Sequence, residues 1–117
     1  MRFWTPDEAR AYLPRARELL EGLRTAAKVA TSARGNGHGP KDGKVADPKA
    51  AFAELEEHDI IVRDVESGLI DFPARGADRV VYFLCWRFDD PDLGWWHLPE
   101  EGFPGRQPLP RDPPETT

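Results

Sequence analysis

The chain has a single cysteine, Cys85, so no disulfide can close within it. It has no apolar run near the ~20 residues that span a bilayer. Its opening, Met1-Arg2-Phe3-Trp4-Thr5-Pro6-Asp7-Glu8, lacks the apolar stretch of a signal peptide. It also lacks an excess of positive charge: 16 Lys and Arg against 21 Asp and Glu leave a formal net charge of -5. A phosphate backbone needs a basic face, so no nucleic acid partner is expected. Together these absences predict a cytoplasmic protein with no membrane partner. At 117 residues there is material for one core and not for two.

What the chain does have is concentrated between Ile60 and Leu109. The run Arg79-Val80-Val81-Tyr82-Phe83-Leu84-Cys85-Trp86-Arg87 is apolar or aromatic on both alternating faces, in a chain that is otherwise 32% charged. A strand that can be wetted on neither face lies in the middle of a sheet, covered above and below. Strands are predicted at about Ile60 to Val65, Leu69 to Pro73, Val80 to Phe88 and Gly94 to Leu98. The links between them are short and rich in turn residues, which predicts an antiparallel meander.

Ahead of the strands the apolar period is helical. Thr5-Pro6-Asp7-Glu8 reads as a capping box with proline at the first helical position. Ala9, Tyr12, Leu13, Ala16, Leu19, Leu20 and Leu23 then recur on one face. Pro14 interrupts that pattern and predicts a short helix from about Pro6 to Leu13 and a longer one restarting at Pro14 and fading near Ala33, with one kinked helix as the alternative. Residues 34–46 hold four glycines and no apolar anchor and read as a flexible loop. No strand precedes this loop and the lysine spacing of a phosphate-binding loop is missing. Asp47-Pro48 repeats the cap-plus-proline signature, and Ala51, Phe52 and Leu55 give a second helix one apolar stripe, ending near His58. The predicted fold is therefore α+β: residues 1–109 form one domain, a helical hairpin packed on a four-stranded antiparallel β-meander. It ends in an irregular proline-rich C-terminal tail, with residues 110–117 disordered.

Several short segments occur in a distinctive order: Gly68-Leu69-Ile70-Asp71-Phe72-Pro73-Ala74, Leu84-Cys85-Trp86-Arg87, Trp96-His97, Glu101-Gly102-Phe103 and Gly105-Arg106-Gln107-Pro108-Leu109. With Thr5, Glu8-Ala9 and Leu13-Pro14 at the front, the chain resembles, from about Phe3 to Leu109, a family of small prokaryotic proteins known as domain of unknown function 2203. Similar proteins tend to carry Gly-Glu after the tryptophan strand, where this chain has Asp89-Asp90 behind Phe88. The resemblance implies a soluble bacterial protein and brings no activity with it.

Four groups of residues are candidates for function. His97, Glu100, Glu101, Cys85, Asp71 and Asp89 are all metal-ligand types. Hairpin counting tests them: if Pro73 faces Val80, Asp71 faces Tyr82; if Phe88 faces Trp95, Trp86 faces His97. Tyr82 and Trp86 are four residues apart, roughly 13 Å at ~3.3 Å per residue. On that register Asp71 and His97 are too far apart to share an ion, and Cys85 points to the other face, so neither a metal nor a cofactor is expected. Cys85 as a nucleophile needs an accessible thiolate and a base, whereas a mid-strand cysteine between Leu84 and Trp86 reads as a small buried hydrophobe. Asp71, in an apolar strand, needs a partner, either Arg63 across the hairpin or the Tyr82 hydroxyl. Arg87 is placed to pair with Asp89, Asp90 or Asp92. Arg106 is placed to fold back over the sheet onto a carboxylate such as Asp71, or to hold a small anion.

The last group is aromatic: Trp86, Trp95, Trp96 and Phe103, with His97 among them. Aromatics interspersed with arginine are the composition of binding hot spots. No complete catalytic constellation accompanies them. The chain is therefore expected to be a non-enzymatic binding or assembly module. Trp95 or Trp96, with His97, Phe103 and Arg106, would face a protein partner or a second copy in a homo-oligomer. The alternative is a small enzyme or a ligand- or metal-binding protein with a polar pocket around Asp71, Arg87, His97 and Arg106. Convergence of those four side chains on one concavity separates the two.

Overall fold

The structure, a computed structural model, describes residues 1–36, 47–76 and 79–109, with side chains in the first stretch up to residue 29. The tail 110–117 and all but the first three residues of the predicted glycine-rich loop lie outside it.

The two cap signatures fold as their residue types dictate. The Glu8 backbone N–H donates to Thr5 Oγ1 at 3.1 Å, and the Thr5 N–H donates to Glu8 Oε1 at 2.9 Å. Helix α1 (Pro6–Asn36) then runs on through Pro14. Of the two alternatives the single helix is realised, and it extends three residues into the stretch predicted as loop. Pro14 is exposed, so the Arg10 carbonyl that it leaves without a donor lies toward water. Asp47 caps α2 (Pro48–Glu57), accepting from the Lys49 N–H at 3.0 Å. Arg15 forks onto the Glu54 carboxylate at 2.8 and 2.9 Å, and the Tyr12 hydroxyl donates to the same carboxylate at 2.7 Å. Earlier in the chain, Trp4 donates through Nε1 to the His58 carbonyl at 3.0 Å. Contacts that advance along α1 as they retreat along α2 make the two helices antiparallel.

Among the described residues the sheet has five strands: β1 (Ile61–Asp64), β2 (Leu69–Arg75), β3 (Val81–Trp86), β4 (Trp95–His97) and β5 (Gln107–Pro108). They lie in chain order and every pairing is antiparallel. The predicted meander of four is thus extended by β5, which comes from the segment read as irregular. Two residues beside prolines show no period, and Pro108 sits on an outer strand, where a missing backbone donor is tolerated.

β3 is central, as its two dry faces require. Tyr82, Leu84 and Trp86 join Ile70, Phe72 and Ala74 of β2 on the face under the helices, against Ala16, Leu19, Leu20, Leu23, Ala51 and Leu55. Trp4 completes this layer, a contribution the apolar periodicity does not show because the residue precedes the helix. Its backbone N–H donates to the Pro73 carbonyl at 2.7 Å, and its ring meets Phe72 edge-on at 5.2 Å. No helix among the described residues is long and apolar enough to cross a membrane.

Trp86 is 1% exposed and anchors the layer. Replacing it with Ala should cost about 3–5 kcal/mol. Urea denaturation measures this directly, and a loss below ~1 kcal/mol would contradict a buried central position.

Candidate functional site

The pleat of β2, β3 and β4 sorts side chains onto two faces. Even-numbered residues of these strands go under the helices, and Asp71, Pro73, Phe83, Cys85, Trp95 and His97 go to the other side. The pairing register determines which of them meet. Asp71 lies opposite Cys85, not Tyr82, and His97 lies opposite Phe83, not Trp86. Both hairpins are displaced by three residues from simple counting. β2 continues through Ala74 and Arg75, beyond which the Gly76 N–H bonds the Val80 carbonyl at 2.9 Å, and the turn from β3 to β4 is longer than its prolines and aspartates suggest. An odd displacement exchanges faces. It puts Cys85 on the same side as Asp71 and His97 and shortens their separation along β3 to two residues, roughly 6.6 Å. The reason for setting a shared site aside therefore does not hold.

The three side chains converge. His97 Nε2 is 3.0 Å from Asp71 Oδ1, and both residues are 2% exposed. The second ring nitrogen, Nδ1, is 2.8 Å from the Leu98 carbonyl. Asp71 Oδ2 accepts from Arg63 Nε at 2.9 Å. That contact matches the predicted partner but not the predicted register, because Ile61 is the residue opposite Asp71 and Arg63 sits at an irregularity in β1 between Val62 and Asp64. Cys85 Sγ completes the group: the three potential ligand atoms all lie within 4.8 Å of one another. Burial pushes the Cys85 thiol up to about 12; the negative Asp71 adds to the rise and Arg106 opposes it.

Above this floor is a cavity of about 290 Å³. Arg63 and Leu69 form its wall, and Pro99, Gly102 and Phe103 form its cover. The cover is the chain returning from β4 to β5. Gly102 has φ of +61°, in the left-handed region that a side chain disfavours, and a single 3₁₀ turn follows from Phe103 to Gly105. Arg106 fastens this segment. Its Nη1 donates to Asp90 Oδ2 at 2.8 Å, with side chains 10% and 9% exposed, and its guanidinium lies over Trp95 at 4.6 Å and Phe103 at 4.4 Å. Arg87 stacks on Phe103 at 4.8 Å, so the ring lies against two guanidinium groups. Asp90 also accepts from the Arg87 backbone N–H at 3.1 Å, and its carbonyl accepts from Trp86 Nε1 at 3.2 Å.

Of the sequence-predicted site residues, Asp71 and His97 line the cavity and Phe103 covers it. Arg106 and Trp95 stand behind that cover. Arg106 is paired with Asp90, not Asp71. The Arg87 side chain is held by the Phe103 ring, and it is the Arg87 backbone, not its guanidinium, that bonds an acid of the turn. Trp96 is on the other face, edge-on to Tyr82 at 5.8 Å, and does not belong to the group. Glu100 and Glu101 are exposed. The counted register sets Cys85 aside and leaves Asp90 as one possible partner of Arg87; the structure brings both into the group. The order of Asp71, Cys85 and His97 on three successive strands was visible, but their shared face depends on turn lengths that composition does not determine.

The model of the family described as uncharacterized conserved protein DUF2203 matches residues 2–109 of this chain. No curated protein and no solved structure matches it.

The raised thiol makes a prediction about stability. The unfolded thiol ionises from about pH 9 and the folded one only near 12. Its contribution to stability is therefore complete below pH 9 and lost as pH rises from there through 12. In chelator-containing buffer, the stability advantage of the native chain over Cys85→Ala should shrink across that window, measured by urea denaturation at a series of pH values. Native Cys85 should also resist iodoacetamide at pH 8 and react once the chain is unfolded. Rapid native alkylation would show the thiol to be accessible.

Proposed function

The chain belongs to the DUF2203 family, and we propose that it works as a small-ligand-binding protein, with its site between the outer sheet face and the segment from Pro99 to Phe103. One observation carries this reading: Asp71, Cys85 and His97, from three different strands, turn their polar atoms into a single covered cavity. Burying a carboxylate beside an imidazole is costly unless each group is paired, and an apolar core would not require either. At about 290 Å³ the cavity is near the lower end of the ~300–1,000 Å³ typical of ligand pockets, which suits a small polar molecule or ion.

Of the four side chains Asp71, Arg87, His97 and Arg106, two, Asp71 and His97, line the cavity, and the aromatic anchors of the assembly reading are engaged within the chain. Phe103, Trp95, Arg87 and Arg106 stack on one another within the chain, and Trp96 packs against Tyr82. The large hydrophobics left exposed among the described residues are Met1, Phe52 and Val80, none of which belongs to that cluster. Arginine and aromatic groups already committed to each other cannot also be the free anchors of an interface.

A fragment screen followed by amide chemical shifts tests the reading. Small polar fragments should perturb Leu69, Cys85, His97 and Gly102, while light scattering should find a monomer. Perturbations confined to the Phe52 side, or a stable dimer that shields Trp95, would instead support the assembly module.

A further inference from the structure

We infer that Asp71, Cys85 and His97 are the three protein ligands of a zinc-type divalent metal ion whose fourth position opens into the cavity. The inference deepens the ligand-pocket reading and rests on it only for that fourth position.

Hydrogen-bond accounting at His97 is the starting point. The Leu98 carbonyl can only accept, so Nδ1, 2.8 Å away, must be the ring nitrogen that donates. A neutral imidazole then presents a bare lone pair at Nε2. Facing it at 3.0 Å is Asp71 Oδ1, an acceptor whose companion oxygen is taken up by Arg63. Two acceptors at that separation repel unless something positive lies between them. A second ring proton would serve, and so would a metal ion. A ring proton would serve the His97–Asp71 pair alone, whereas a metal also engages Cys85, whose thiol is in hydrogen-bond contact with Asp71: Sγ stands as the third corner, all ligand atoms being within 4.8 Å of one another.

The supports also match a metal centre. A ligating histidine typically donates its remaining N–H to a carbonyl or carboxylate, which fixes the tautomer, and a ligating carboxylate is itself held by a second hydrogen bond. Leu98 and Arg63 fill these two roles. With metal–ligand bonds of ~2.0–2.3 Å, the edges of a tetrahedron are about 3.3–3.7 Å, so closure asks for side-chain movements of about 1 Å. One sulfur, one nitrogen and one oxygen ligand suit zinc and disfavour calcium or magnesium. Thiolate and carboxylate together balance the two charges of the ion. Burial keeps the thiol protonated in the metal-free chain, but a coordinating dication deprotonates it outright. Three protein ligands with an open fourth position is the arrangement of zinc sites that bind water or a substrate oxygen.

Chelator-treated protein without a histidine tag, titrated with cobalt(II) and then with zinc, tests the inference. The expected result is one ion per chain, a thiolate-to-cobalt charge-transfer band that zinc abolishes, and release of a proton from the Cys85 thiol. Cys85→Ala should remove the band, and Cys85→Ala and Asp71→Asn should each weaken cobalt binding by more than about 100-fold. Circular dichroism would establish that each variant remains folded. Absence of stoichiometric binding, or a bound cobalt without the thiolate band, would overturn the metal centre. If fragments still shift Leu69 and Gly102 in a protein that binds no cobalt, the pocket stands and the metal alone is lost. If neither ligand nor metal perturbs those amides, both readings fall.

Discussion

Successive side chains of β3 point to opposite sides of the sheet, and in this molecule both are covered, fully towards the helices and partly on the other side, where Val81 and Phe83 are half-buried and Cys85 is buried. Towards the helices, Tyr82, Leu84 and Trp86 close an apolar layer with Leu20, Leu55 and Phe72. Towards the other side, Phe83 and Cys85 lie beneath polar groups and the returning chain. A strand covered twice cannot shift by one residue without turning a tryptophan into the polar side and a cysteine into the apolar one. The same constraint that secures the core therefore determines which residues of β2 and β4 share a face. The candidate site follows from the ladder and needs no element of its own.

The two faces use different physics. Under the helices, stabilisation comes from apolar area removed from water at ~25 cal/mol per Å², and most polar atoms are backbone. On the outer face, charges are buried and must be matched. Arg106 meets Asp90, Arg63 meets Asp71, and Phe103 lies against the guanidinium groups of Arg87 and Arg106. Pairs of this kind add little net stability compared with apolar residues of equal volume, but breaking one partner leaves an expensive orphan. They define a geometry more than they strengthen the fold.

Legibility in the sequence followed the range of the forces involved. Both helix caps could be read because Thr5 with Glu8, and Asp47 with Pro48, act within one turn. The central strand could be read because its excess of apolar residues is local. The passage of α1 through Pro14 was only half legible, since it depends on that residue facing solvent. The meeting of Asp71, Cys85 and His97 was not legible, because it accumulates the lengths of two turns and any odd error reverses the faces. Asp90 was legible only as one of three acids that could pair with Arg87. It accepts locally from the Arg87 backbone and Trp86, but its partner that fastens the cover, Arg106, is sixteen residues away on another segment. β5 was invisible because two residues beside prolines carry no period.

The cover of the cavity is attached differently from its floor. β5 contributes only Gln107 and Pro108 to the ladder, and beyond it the Leu109 N–H bonds the Gly94 carbonyl at 2.8 Å. The remaining fastening is one buried ion pair, a stack of flat groups, and the packing of Leu98 and Leu109 against the edge of the core. Peeling this strap away would expose the floor while leaving Trp86 and its neighbours in place. Exchange between cavity and solvent thereby needs only this edge of the sheet to open, not global unfolding.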